Sequence, residues 1–251
     1  MLDRPENIHR PSRSMLALGG SRPPEAIRVE QITYRFVETV KHDFWALTAF
    51  YDDESSHRVV YKAGRAATFL GLPLSPLGRW LVRREVRIHR KLADLPNIPR
   101  VLATFGDEAF VRQFVPGTTL SSKMQIPNGF FAELQKLIDE LHRRNIAYVD
   151  LNKRSNILLG EDGHPHLFDF QISWDRNRSS ISNWWLRRFQ REDRYHLLKH
   201  KRRHRPDELT AEEQRISSKP SRLIRLHRII TRPYFLLRRA IFRRMPDAVS
   251  D

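Results

Sequence analysis

Residues 146–159 read Ile146-Ala147-Tyr148-Val149-Asp150-Leu151-Asn152-Lys153-Arg154-Ser155-Asn156-Ile157-Leu158-Leu159, a polar loop between two apolar flanks. A carboxylate in such a loop can orient an attacking hydroxyl or take its proton, and an amide oxygen nearby can ligate Mg2+. Taken singly, an Asp there is more often a turn former or a helix cap, so the neighbouring segments decide its meaning. Eight residues downstream, Leu167-Phe168-Asp169-Phe170 encloses one Asp among apolar residues. Mg2+ bound to nucleotide phosphates takes one or two protein carboxylates, a number that this pattern supplies.

Upstream, Leu81, Glu85, Ile88 and Leu92 are spaced 4, 3 and 4 apart and share one helix face. A carboxylate on an apolar stripe is costly unless it is paired. Lys62 ends the strand-like run His57-Arg58-Val59-Val60-Tyr61-Lys62 and is the candidate cation. The other reading is that Glu85 lies at the edge of the stripe, in water.

Working outward, residues 28–40 and 43–51 are rich in β-branched and aromatic residues, and 52–56 reads as a turn, so residues 28–62 predict an antiparallel meander. A Gly/Pro-containing connection, 71–78, leads to a helix over about 79–92. Asn97–Leu102 and Phe110–Val115 read as strands, broken by Pro116-Gly117. Phe131, Leu134, Ile138 and Leu141 predict an amphipathic helix over 130–143. Short strands are expected at 157–159 and 166–170 around the turn 161–163, and basic helix beyond Asp175. A β-rich half followed by an α-rich half predicts an α+β protein with a ligand cleft between two lobes.

The chain has 251 residues, enough for one two-lobed domain, and 40% of them are hydrophobic. It has no cysteine, which excludes disulfides, thiolate metal sites and a Cys nucleophile and makes a reducing cytosol the natural compartment. The formal net charge of +16 attracts anions: nucleic acid, anionic lipid or phosphorylated substrates. No apolar run reaches the ~18 residues of a membrane-spanning helix. Residues 1–25 are polar, and 1–28 is expected to be a flexible leader.

The order of these clusters resembles the protein-kinase-like superfamily over roughly residues 30–175. Val59-Val60-Tyr61-Lys62 resembles the strand whose lysine holds ATP phosphates, and Glu85 resembles its helix partner. Phe110 to Leu120 resembles the hinge strand and the entry to the second lobe, which implies nucleotide contacts from Gln113 and Val115. Leu141-His142 through Asp150-Leu151 resembles the passage into the catalytic loop, with Asp150 and Lys153 as the catalytic pair. Asp169-Phe170-Gln171 resembles the magnesium-binding Asp-Phe-Gly motif, with Asn156 as the second metal ligand.

The resemblance implies a two-lobed protein-kinase-like fold: N-lobe 29–115, reduced helical C-lobe 116–205 and basic helical tail 206–251. ATP and Mg2+ are the implied cofactors. Several positions depart from the pattern. Tyr148-Val149 replaces the usual His-Arg, so an activation loop controlled through that arginine is not expected. Asn156 follows Asp150 by six residues rather than five, which a one-residue insertion near Asn152 accounts for, since Lys153 keeps its spacing to Asn156; Ser155 and Asn152 are the alternative ligands. The loop Thr39-Val40-Lys41-His42-Asp43 lacks the glycines expected over the phosphates, which leaves a pseudokinase scaffold as one reading. No Ala-Pro-Glu-like anchor follows Asp169.

From Arg176 to Asp251 there are 21 Lys plus Arg against 8 Asp plus Glu, so most of the charge lies there. Trp184-Trp185 within 183–189 is expected to pack on the second lobe. Residues 222–244 carry an apolar stripe (Leu226, Ile230, Tyr234, Leu237, Ile241) beside an arginine face, the pattern of a helix on an anionic membrane. RNA is the competing partner, through the run Lys199–Arg205. Within the superfamily the short second lobe and basic tail resemble bacterial lipopolysaccharide core (Kdo/heptose) kinases, with RIO-like atypical protein kinases next. The implied activity is transfer of the ATP γ-phosphoryl group to a hydroxyl, on a lipid-linked sugar or a protein, in the cytoplasm at the inner membrane face.

Overall fold

The computed structural model describes residues 15–122, 124–175 and 180–218. The amino-terminal half is built from β1 (Ala26–Val29), β2 (Ile32–His42), β3 (Ala46–Asp52) and β4 (Arg58–Gly64), followed by the hairpin β5 (Thr68–Phe69) and β6 (Leu72–Pro73). Helix α1 (Ser75–Lys91), β7 (Val101–Phe105) and β8 (Ala109–Gln113) complete it. The antiparallel sheet runs β1-β2-β3-β4-β8-β7. β4 is buried from Val59 onward because both its faces are covered. One face carries Val59, Tyr61 and Ala63 in a core with Tyr51 and Val111. The other turns Lys62 toward α1, whose Val82 and Val86 pack on Phe110.

The carboxyl-terminal half holds β9 (Gly117–Thr119), α2 (Phe130–Arg143), β10 (Ile146–Ala147), β11 (Ile157–Gly160), β12 (Pro165–Leu167), β13 (Trp174–Asp175), α3 (Ser180–His204) and α4 (Ala211–Ser218). Its core gathers the apolar face of α2 with Leu151, Ile157, Phe170, Leu197 and Leu198, and takes in Ile88 and Leu92 from the last turns of α1. Helix α1 therefore belongs to both cores. At its other end it touches β4 backbone to backbone. A Cβ on Gly78 would stand 2.0 Å from the Arg65 carbonyl oxygen, and one on Gly64 2.7 Å from Val82. Glycine inside a helix costs about 1 kcal/mol relative to alanine, and here it permits that close approach.

Several expected boundaries shift. The strand expected over 28–40 is two strands, reversed at Glu30, whose φ is 55°. Helix α1 starts at Ser75, a turn earlier than expected, with proline in its first turn where no N–H is needed. Residues 97–100 are not strand: Pro99 donates no ladder bond, and Asn97 instead binds Pro165 and Leu167 of the other half. Residues 168–170 likewise lie outside the ladder.

The expected leader reaches into structure. Ala17 is buried and exchanges backbone hydrogen bonds with Asp43, Ala66 and Ala67, so residues 15–28 are not a loose extension. Arg65, buried under the same segment, donates to the carbonyls of Phe44 and Thr68 and lies 3.8 Å from the Phe44 ring centre.

Five residues of the run Lys199–Arg205 make contacts within the protein. Lys199 donates to Asn152, His200 faces the Leu151 carbonyl, Lys201 pairs with Glu213, Arg202 donates to Ser217, and Arg205 pairs with Asp207 and Glu208. Trp184 and Trp185, expected to pack on the second lobe, keep 57% and 39% exposure, while Leu186 beside them is buried. The stripe over 222–244 lies outside the described residues. Among those described, no helix is long and apolar enough to cross a membrane.

Candidate active site

Lys62 stands where the two halves of the protein meet. Its Nζ lies 2.8 Å from Glu85 on α1 and 3.1 Å from Asp169 on the loop after β12. Glu85 is 1% exposed, so it is paired and not at the solvated edge of its stripe. Burial lowers the affinity of Lys62 for its proton, but the charges of Asp169 and Glu85 outweigh it and the ammonium is held firmly charged. Burial also pushes Asp169 up, and the adjacent Lys62 overrides this, keeping that carboxyl well below the usual range. For Glu85 burial wins and its pKa is raised. Lys62 thus holds both carboxylates, Glu85 at 2.8 Å and Asp169 at 3.1 Å.

The loop from β10 to β11 brings together Asp150, Lys153 and Asn156. Asp150 Oδ2 accepts from Lys153 Nζ at 2.6 Å and from Asn156 Nδ2 at 3.0 Å. The amide of Asn156 thus spends its donors on Asp150 and turns its oxygen, a hard ligand, away from that carboxylate. With the ionised Asp169 this is a donor set that suits Mg2+ held jointly with a nucleotide. The charge of Lys153 reaches Asp169, and the Tyr148 hydroxyl donates to the Asn156 carbonyl at 3.4 Å.

Gln113 and Val115 lie at and beyond the end of β8, where the two halves meet. The Gln113 N–H donates to the Arg100 carbonyl, its side-chain oxygen accepts from Arg100 N, and its carbonyl accepts from Arg112. The β2–β3 connection over the cleft is a tight turn in which Asp43 Oδ1 accepts from Trp45 and Ala46, and Lys41 pairs with Asp43 at 2.9 Å. A side-chain-capped turn stands where glycines were expected.

Three groups escaped the sequence reading. Asp193, on α3, is fully buried; Oδ1 accepts from Val149 N at 2.8 Å, and Oδ2 accepts from Tyr148 N at 2.8 Å and lies 3.1 Å from His142 Nε2. Burial raises its pKa despite these partners. It clamps a strained backbone, because Val149 has φ 72°, which a β-branched residue adopts at a cost of about 1–3 kcal/mol. Asp193→Ala should therefore lower unfolding free energy by on the order of 3 kcal/mol, since a buried and a part-buried amide lose their acceptor. Val149→Gly should recover part of the loss by relieving the strain. A denaturant midpoint for Asp193→Ala equal to that of the wild type would refute the clamp.

A column of rings forms the second group: His89 on α1, Phe170 and Tyr148, with centroids 4.9 and 5.1 Å apart in edge-to-face contact. His89 lies between the carbonyls of Pro99 and Phe168; burial, reinforced by the Arg112 charge, pushes its pKa down to about 3. The third is Arg112, buried on β8 opposite Val60, its guanidinium 5.0 Å from the Phe168 ring centre. Burial pushes it down to about 10 against the pull of Glu85 and Asp169. It places a second cation beside the two carboxylates.

A sheet-rich lobe, a helical lobe and a Lys–Glu–Asp cluster between them define a protein-kinase-like fold. The crystal structure of the BubR1 kinase domain superimposes with a TM-score of 0.50 at 14% identity, over 74% of this chain and 66% of that one. In sequence, the chain is 34% identical over 113 residues to the serine/threonine-protein kinase UCN of Arabidopsis thaliana and 34% identical over 105 residues to the human cAMP-dependent protein kinase catalytic subunit PRKX. These matches take in 38% and 36% of this chain, and span only 28% and 29% of the two relatives. No family model matches the chain.

Proposed function

We propose that the protein is an ATP- and Mg2+-dependent phosphotransferase whose acceptor is a serine or threonine hydroxyl of a protein. The observation that carries this reading is the contact of Lys62 with both Glu85 and Asp169, across the cleft from a loop in which Asp150 is held by Lys153 and Asn156. Lys62 binds nucleotide phosphates, and Glu85 keeps its ammonium in place. Asp169 and Asn156 would hold Mg2+, which supplies neutralisation of phosphate charge when bound. Asp150 orients the acceptor hydroxyl and takes its proton, and Lys153 beside it offsets negative charge on the moving phosphoryl group.

The matched relatives favour a protein acceptor over the lipid-linked sugar that the short second lobe and basic tail suggested. Purified protein incubated with labelled ATP and separated protein, lipid and RNA fractions tests this. Mg2+-dependent label on serine or threonine is expected. Label confined to the lipid fraction would restore the sugar acceptor and with it a place at the inner membrane face. Mg-ATP binding without transfer to any fraction would make the chain a scaffold.

A further inference from the structure

Beyond the cleft, one side of α1 grips the segment that follows Asp169. Arg84, Arg87 and Lys91 are spaced 3 and 4 apart, so they share a face. The Arg84 guanidinium donates to the Ser173 carbonyl. Arg87 Nη2 and Lys91 Nζ each lie 2.8 Å from a different oxygen of Asp175, whose side chain is only 12% exposed. The gripped segment is itself tied to the catalytic loop: Trp174 and Asp175 pair with Ala147 and Ile146, and Ser173 Oγ donates to the Tyr148 carbonyl at 2.9 Å. A continuous set of polar contacts therefore runs from the helix bearing Glu85 to the backbone leading into Asp150.

We propose that Asp175 is a positioning residue: by holding Arg87 and Lys91 it fixes α1, and so the Lys62–Glu85 pair, relative to the catalytic loop. The pairing is not needed to bury apolar surface, since Arg87 and Lys91 are 56% and 48% exposed and the cores lie on the other side of α1. Its three members act as one unit, so removing any one of them forfeits most of the effect. This role rests on the phosphotransferase reading, and the test below separates the two.

Asp175→Asn keeps the shape and removes the charge. It should lower phosphoryl transfer about 10–100-fold, the scale of an ångström-sized misplacement of reacting groups. Asp175→Glu should restore most of the rate. Adding Arg87→Gln to Asp175→Asn should cost little more, whereas two independent structural contacts would add. Amide hydrogen exchange of the full chain without nucleotide gives a readout that needs no activity. Asp175→Asn should speed exchange both at 85–91 and at 146–150. Unchanged turnover beside an active wild type overturns the proposal, as does unchanged exchange in either segment. If the wild type transfers no phosphate, the phosphotransferase reading falls and the exchange result alone decides the clamp. Lys91→Gln, on an exposed side chain, serves should Asp175→Asn fail to fold.

Discussion

Asp150→Asn should reduce phosphoryl transfer by about 10²–10⁴-fold, the usual cost of losing a positioned acid–base group, and leave Mg-ATP affinity within about threefold. The asymmetry follows from where Asp150 sits. Its carboxylate is engaged by Lys153 and Asn156, and no contact ties it to Lys62. Asparagine keeps an oxygen for both donors, so the loop should persist. Single-turnover transfer measured beside calorimetric nucleotide titration checks both halves. Near wild-type turnover would show that the carboxylate takes no part in activating the acceptor.

The second large effect is expected at Lys62. Lys62→Ala leaves Glu85 and Asp169 facing each other without their shared cation, and removing one member of a buried pair costs about 3–5 kcal/mol. Affinity for Mg-ATP should fall as well, by about 1.5–3 kcal/mol for a charge-assisted contact to phosphate. The stability deficit should depend on pH. In the variant, burial and like charge raise the folded-state pKa of Glu85 further above its unfolded value. Such a group favours the fold at low pH, and that contribution is lost as pH rises through the folded pKa. The gap to the wild type should accordingly be larger at pH 8 than at pH 5.5 in chemical denaturation. A pH-independent gap would mean that Glu85 stays ionised without Lys62.

The parts of the site legible in sequence were those with a local signature. Glu85 was visible because a carboxylate broke an apolar helical stripe, and α2 because its core residues recur at helical spacing; the helix spans Phe130–Arg143, as the spacing predicted. Asp150, Asn156 and Asp169 were legible through polar positions enclosed by apolar flanks. Asp193 was not, since it sits in a basic stretch whose charge masks its one buried face, and its partners lie 44 and 45 residues away. Arg112 reads as one polar residue near a strand end, and nothing local shows that it is buried against Phe168. The reversal at Glu30 was hidden because glutamate at positive φ carries none of the usual turn chemistry. Asp175 served only to mark where the chain turns basic, because its partners belong to a helix 84 and 88 residues earlier.

The flush contact of Gly78 on the Arg65 carbonyl gives α1 the mechanics of a lever. With that end held flush, a tilt of the helix moves its far end most. Glu85 stands about 10 Å from this fulcrum and Lys91 about 20 Å, at 1.5 Å per residue. A displacement at the far end therefore reaches Glu85 geared down by about half. The same ratio scales any tilt of α1 down by about half before it reaches the Lys62–Glu85 contact.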